Sequence, residues 1–469
     1  MKISFHGAAQ TVTGSKHLIE TKKGFKVLLD CGMFQGKGID TDPLNRHFGF
    51  NPAQIDMVLL SHAHIDHSGL LPRLCAEGFE GKIYATQGTL DLCKLMLYDS
   101  AHIQQADISR LNKRRADKGM SAIEPLYDEK DVQKCLTLFE TVEYNIATPL
   151  SDELQFQFTD TGHILGSAAI SLFVKENNKS FTITYTADIG RPGDKILPSP
   201  KTFPPSEYII CESTYGDRLH DKRSDAEQKL LQVVNETCIV KKGRLIIPAF
   251  SVDRTQEVLY ALDRLHEKKM LPPINVFVDS PLSVRSTEVM QNNAHYFNEE
   301  IQQYMKDTDG KPFMFSNVFY ITDASDSKKL NDLKEPCIIL SASGMAEAGR
   351  VKHHIKYAIE DARNTILLAG YCTPESLGGR LRNGASNVRI HGDEYKVNAL
   401  VERMDSYSAH ADYAEMIAYL KTQEIENIKS IFLVHGELDV MRYFKSELIK
   451  NGFKCPIHLP EAHQSVELH

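Results

Sequence analysis

The chain has 469 residues, more than one hydrophobic core commonly supports, so two domains are expected. It is 42% hydrophobic and 25% charged with a net charge of −8, a globular balance that lacks the basic excess of a simple nucleic-acid binder. No apolar run reaches membrane-spanning length, and nine cysteines without a CxxC pair argue against a disulfide framework or a cysteine zinc ribbon.

The chain opens with a strand at residues 2–6 and has no apolar signal-peptide core there. A cytoplasmic protein with reduced thiols is therefore expected. Further strands are read at 16–20 and 26–30, joined by glycine-containing turns. Residues 57–61 form a short apolar run that ends directly at His62. Residues 91–140 are more charged and helical, and Lys113-Arg114-Arg115 reads as a solvated helical face. Strands follow at 155–158, 168–174 and 180–187.

From about Glu207 strands and helices alternate. Strands at 243–248, 274–278, 336–341 and 364–370 enclose helices at 252–267 and 351–360. This rhythm predicts a parallel sheet flanked by helices. After about Tyr395 the chain returns to a strand, a helix at 413–420 and a strand at 429–434.

The densest chemistry lies in His62-Ala63-His64-Ile65-Asp66-His67. Histidines two apart on an extended chain point the same way, so His62 and His64 can hold one ion. Asp66 and His67, on a tightening loop, can turn toward a second. Imidazole nitrogen and carboxylate oxygen suit zinc, usually with about four donors. Four donors within six positions are not the pattern of a lone core histidine. The missing donors are sought at strand ends followed by tight turns: Thr161-Gly162-His163, Thr186-Ala187-Asp188 and Val434-His435-Gly436-Glu437.

This HxHxDH pattern, with the later His163 and Asp188, resembles the metallo-β-lactamase fold superfamily. Leu29-Asp30-Cys31-Gly32 is similar to that superfamily's first motif, whose aspartate supports the ligand loop from behind. Cys211-Glu212-Ser213-Thr214-Tyr215-Gly216, Ser408-Ala409-His410-Ala411-Asp412 and Val434-His435-Gly436-Glu437 resemble motifs A, B and C of the β-CASP nucleases. Residues 249–257, Asp279-Ser280-Pro281-Leu282 and Ser341-Ala342-Ser343-Gly344-Met345 also resemble that group.

The resemblance implies an α/β protein: an αββα metallo-β-lactamase sandwich with an inserted β-CASP domain. The parts would be residues 1–208 and 395–469 for the sandwich and 209–394 for the insert, with the active site in the cleft between them. It implies two zinc ions per chain. His62, His64 and His163 would bind one, Asp66, His67 and His435 the other, and Asp188 would bridge them. Asp66, Glu212 and His410 would be catalytic, with Glu212 bonded to His410 near the scissile phosphate. Taken as chemistry, His410 is equally a turn residue at a helix start, where Ser408 or Asp412 could cap.

The expected activity is hydrolysis of RNA, by a metal-bridging hydroxide, to a 5′-phosphate and a 3′-hydroxyl. In the family, histidine at the position of His435 accompanies RNA-processing members. A small-molecule thioester or lactone hydrolase is the enzymatic alternative, and a non-catalytic RNA-binding scaffold is the other. The strand–loop–helix at Ser341, Ser343 and Gly344 offers N–H and hydroxyl groups to a substrate phosphate, or serves as an ordinary turn. Single-stranded RNA is the expected partner, with no membrane and with homodimerisation left open. Endonuclease against 5′-exonuclease action stays open too. No separate N-terminal RNA-binding module or added C-terminal domain of the RNase J type is read in the chain. His469 is a native residue or a tag remnant.

Overall fold

The computed structural model describes residues 1–36, 41–176, 179–220, 225–308, 311–370, 372–404 and 407–468; His469 lies outside them. The chain divides into two compact units. One comprises residues 1–192, 199–219 and 410–469, and the other residues 193–198 and 220–409.

The first unit holds two seven-stranded sheets. In one, the order is Ser465–Glu467, Lys2–Gly7, Lys16–Glu20, Lys26–Leu29, Met57–Leu59, Lys82–Ala85 and Phe139–Thr141. In the other it is Ile457–His458, Ser430–Val434, Tyr208–Glu212, Lys179–Tyr185, Ala168–Glu176, Leu154–Asp160 and Thr148–Ser151. Alternate residues of both sheets meet in one core. Ile3, Phe5, Ile19, Val27 and Leu29 come from the first, and Phe156, Ile170, Leu172, Ile183 and Phe432 from the second. On its far face the second sheet buries Ile209, Cys211, Ile431 and Leu433 under the helices Tyr413–Leu420 and Leu438–Lys450. Strands buried on both faces explain the unbroken apolar runs YIIC and IFLV.

Several parallel pairings determine where the site forms. Leu29 stands opposite Leu59, Tyr185 opposite Ile210, and Glu212 opposite Val434. The loops carrying Asp30, His62, Asp188, Glu212 and His435 therefore leave the two sheets at their C-terminal edges, where open α/β sheets gather ligands.

The second unit is built on a six-stranded, wholly parallel sheet. Its order is Val318–Tyr320, Asn275–Val278, Cys337–Ser341, Leu245–Pro248, Thr365–Leu368 and Leu400–Arg403. One face packs Ile246, Ile339 and Ile366 against Val351 and Ile355 of the helix Val351–Ala358. The helix read from residue 252 starts at Arg254, because Asp253 has φ 71° and cannot be a helical residue.

One detail departs from expectation. Asp66 and His67 sit on a one-turn helix, Ile65–Ser68, instead of a loop. Charged residues 91–116 belong to one 30-residue helix, Gln87–Ala116, whose last turn carries Lys113, Arg114 and Arg115. No described helix is long and apolar enough to cross a membrane.

Candidate metal centre and active site

Seven donor side chains converge in the first unit, His62, His64, His163 and Asp188 in one group and Asp66, His67 and His435 in another, while Asp188, Glu212 and His435 form an overlapping third. In the first group His64 Nδ1 lies 3.2 Å from both His62 Nε2 and His163 Nε2. Asp188 Oδ2 lies 3.4 Å from each of those Nε2 atoms. In the second group His67 Nε2 and His435 Nε2 are 3.2 Å apart, and Asp66 Oδ2 is 3.4 Å from His435 Nε2. Asp188 Oδ1 is 3.3 Å from His67 Nε2. The Asp188 carboxylate thus faces one group with each oxygen.

These separations test whether zinc fits. A tetrahedral ion with donors at about 2.0–2.2 Å has edges of about 3.3–3.6 Å. The observed 3.2–3.4 Å edges match that spacing. Asp188 Oδ1 is buried with no hydrogen-bond partner, a costly state for a carboxylate oxygen that a cation would relieve. Both groups could each hold one ion.

The His67 and His62 rings are oriented by their other nitrogen. His67 Nδ1 donates to Asp30 Oδ2 at 2.7 Å, which leaves Nε2 to the ion. Asp30 also accepts from Ser61 N, Ser61 Oγ and the Tyr185 hydroxyl at 2.7, 2.7 and 2.9 Å. Since the Ser61 hydroxyl hydrogen goes to Asp30, His62 Nδ1 donates to Ser61 Oγ at 3.0 Å. Asp30 thereby steers a histidine of each group. The Ile65–Ser68 helix is seated by Cys31 N on His67 O and Met33 N on Ile65 O, at 2.8 and 2.9 Å.

Burial and charge shift these groups in opposite directions. Burial, then the neighbouring His62, pulls the His64 imidazole down to about 3, and burial also lowers His62 and His163. All three shifts favour the neutral imidazole with a free lone pair. Burial would lower His67 too, but the charges of Asp188 and Asp30 hold it well above the usual histidine value. Burial would raise Asp188, and His435, His67 and His62 overturn this and hold its carboxyl well below the ordinary range.

Glu212 lies beside this cluster, fully buried. Its Oε1 accepts from Ile189 N. Its Oε2 accepts from Thr214 Oγ1 at 2.5 Å and lies 3.2 Å from His410 Nδ1. Burial alone would lower His410, but Glu212, then Asp188 and Asp66, raise it to about 9. The following helix is capped by Asp412, which accepts from Ala414 N and Glu415 N, so His410 has no capping duty. His64, Asp66 and His410 are the less buried members, the last two with side chains 19% and 22% exposed.

Residues 18–210 match a metallo-β-lactamase superfamily domain, residues 255–381 a Beta-Casp domain, and residues 394–460 a Zn-dependent metallo-hydrolase RNA specificity domain. The chain is 34% identical to Ribonuclease TTHA0252 of Thermus thermophilus, across 93% of both chains. The chain belongs to the β-CASP family of metallo-β-lactamase-fold hydrolases. This β-CASP chain is also 31% identical to an RNase J-like protein of Methanocaldococcus jannaschii, over 98% of this chain and 97% of that one. With the transcription termination factor FttA of the same organism it shares 28% identity, over 98% of this chain and 70% of that protein.

Three residues of the site escaped sequence reasoning as functional positions: Ser61, Thr214 and Tyr185. Thr214 lay within a recognised motif but had no role there; Ser61 follows a short apolar strand, Tyr185 ends an alternating one, and neither carries a local signal. Ser341, Ser343 and Gly344 lie in the second unit. Ser341 Oγ donates to Asp279 O at 2.8 Å, Ser343 Oγ bonds Ala348 within its own turn, and Gly344 lies against the Phe250 ring.

Proposed function

We propose that this chain is a zinc-dependent ribonuclease with two zinc ions, hydrolysing RNA phosphodiester bonds. The observation that carries it is the division of Asp188: one oxygen toward His62 and His163, the other toward His67. His62, His64 and His163 would hold one ion, Asp66, His67 and His435 the other, and Asp188 both. Zinc, when bound, supplies Lewis acidity toward a phosphoryl oxygen and lowers the pKa of a water.

The chain's own residues do the rest. Asp66 and Asp188 hold the charge that keeps both ions in place. His410, charged beside Glu212, carries the proton that the leaving oxygen needs. Glu212 keeps that proton on the ring at neutral pH and aims the ring through Nδ1. Hydrolysis by water leaves a 5′-phosphate and a 3′-hydroxyl and needs no 2′-hydroxyl. The choice of RNA is supported by the matched RNA specificity domain, which contains His410 and His435, and by the relative named a ribonuclease. Single-stranded RNA is the proposed substrate, and Ser341, Ser343 and Gly344 a proposed contact for one of its phosphates.

The matched segments support a sandwich from residues 1–208 and 395–469 with a β-CASP insert at 209–394. In compactness, residues up to 409 go with the insert, because Leu400–Arg403 pairs with Thr365–Leu368. Nine free cysteines, eight of them buried, support a reducing compartment, for which the cytoplasm is proposed.

One assay tests the reading. The protein is incubated with labelled single-stranded RNA, DNA of the same sequence and a thioester, beside the Asp66→Asn variant. RNA is cut by the wild type and not by the variant. Equal cutting by the variant would expose a contaminating nuclease, and thioester turnover without RNA cutting would overturn the proposal. Light scattering on the same sample reads the homodimer.

A further inference from the structure

Lys16 is fully buried in the first unit, and the partners of its ammonium are not carboxylates. Nζ donates to Gly14 O at 3.0 Å and Gly32 O at 2.8 Å, and it lies 4.3 Å from the centre of the Phe34 ring. A Cβ built on Gly7 would come 3.3 Å from the same Nζ, so a third backbone segment closes over it. Burying a charge without a counter-ion is costly, and an apolar side chain of similar volume would fill the space more cheaply. What the ammonium adds is a pair of donors that bind two separate stretches of backbone.

Each stretch around Lys16 grips the second donor group. Ser15 N donates to Asp66 O at 2.8 Å, and Gly32 N donates to Ser15 O at 2.8 Å. Cys31 N donates to His67 O at 2.8 Å. His435 N donates to Ala8 O at 2.7 Å, next to Gly7. Segments 7–8, 14–15 and 31–33 are thus the backbone seats of His435, Asp66 and His67, and Lys16 stands where they meet. Burial brings Lys16 down to about 8, and the ionisable groups that sense its charge, Cys31, His6 and His17, lie outside the donor set. Its bonds reach the site through backbone position.

We propose that Lys16 is a positioning residue of the metal centre, cross-linking the backbone at Gly14 and Gly32 so that Asp66, His67 and His435 stand at ion-binding separation. This rests on the reading of those three residues as one zinc site. Outer partners of metal ligands typically contribute about 10–100-fold in metal affinity.

The test is zinc titration of the full chain against a competing chelator, with wild type, Lys16→Met and Lys16→Arg. Methionine keeps the stem and removes the ammonium. In Lys16→Met one zinc equivalent weakens by about 10–100-fold. Thermal stability changes little, since loss of a buried charge offsets two carbonyls left without this donor. At limiting zinc its kcat falls with KM for RNA unchanged, and excess zinc restores it. Lys16→Arg keeps more of the affinity than Lys16→Met. Wild-type zinc affinity in Lys16→Met overturns the proposal, and so does tighter binding, which would mean that charge repulsion outweighs position. A wild type that takes up no zinc removes the metal-site reading itself, a separable result. If Lys16→Met does not fold, hydrogen exchange on the wild type decides. The amides of Ser15, Cys31, Gly32 and His435 exchange as one block that gains protection when zinc is added; independent exchange overturns the idea.

Discussion

Thr214 Oγ1 lies 2.9 Å from His435 Nδ1. The same hydroxyl donates to Glu212 Oε2 at 2.5 Å, so its single hydrogen is committed and His435 Nδ1 must be the donor of the 2.9 Å bond. One hydroxyl thus joins the His435 imidazole, proposed as a zinc ligand, to the carboxylate that charges His410. The prediction is asymmetric. Thr214→Val loses about 10–100-fold in affinity for one zinc equivalent, because His435 loses its orienting acceptor. Thr214→Ser keeps the hydroxyl and stays close to wild type. Parallel zinc titrations of the two variants check this.

His410 carries the pH dependence. Its value is raised from 6.5 to about 9 because Glu212 overcomes the effect of burial. A proton donor must be protonated, so kcat falls as pH rises through that value. Bound zinc adds positive charge and brings this limb below 9. Glu212→Gln removes the carboxylate charge and shifts the limb further toward acid. His410→Ala lowers kcat by about 10²–10⁴-fold, leaving zinc content unchanged. A pH profile of kcat for the three proteins measures both effects. An unmoved basic limb in Glu212→Gln would dismiss the assignment.

Zinc uptake competes with protons at His67. In the metal-free protein this imidazole sits between Asp30 and Asp188, 2.7 and 3.3 Å away, and is held well above the usual histidine value. Filling that site must displace its proton, so zinc addition near neutral pH releases acid and affinity falls as pH is lowered. Asp188→Asn weakens both equivalents at once, by more than about 100-fold, because its two oxygens serve the two groups. Calorimetry in buffers of different ionisation enthalpy reads the proton, and metal analysis after dialysis reads the stoichiometry. Retention of one full equivalent by Asp188→Asn would argue against a shared ligand.

Gly32 is required by close approach. A Cβ there would stand 1.6 Å from Asp66 O and 2.8 Å from His67 N. Gly32→Ala must push the Ile65–Ser68 helix away from the centre. The expected result is loss of zinc from the Asp66–His67–His435 group and an activity fall of more than about 10²-fold, since a misplacement of about 1 Å costs that much. Activity and metal content of the variant provide the check, and near-wild-type values would mean that the turn relaxes elsewhere.

Most strands were legible because they are short apolar runs closed by turn residues. The 16–20 strand and the 413–420 helix fall where periodicity places them. The metal cluster was legible for a different reason: four of its donors lie within six residues, and no other common role needs that density. Thr214, Ser61 and Tyr185 were not legible as parts of the site, since each acts through a partner remote from it in sequence. Tyr185 reaches Asp30 across 155 positions, and Thr214 reaches His435 across 221. The helical turn at Ile65–Ser68 was missed because its N-cap, His64, makes no side-chain capping bond.

The sequence by itself determined the chemistry: which donors exist, that they suit zinc, and that a carboxylate and a histidine accompany them. Local pattern suffices there, because donor type and spacing are properties of neighbours along the chain. Tertiary structure alone decided the division of labour. Asp188 faces both groups because parallel strands bring Tyr185 level with Ile210 and Glu212 level with Val434. Lys16 stands behind the second group because the backbone at Gly7, Gly14 and Gly32 folds back around one ammonium. Such relations depend on strand register and backbone approach, and no residue alphabet read in order contains them.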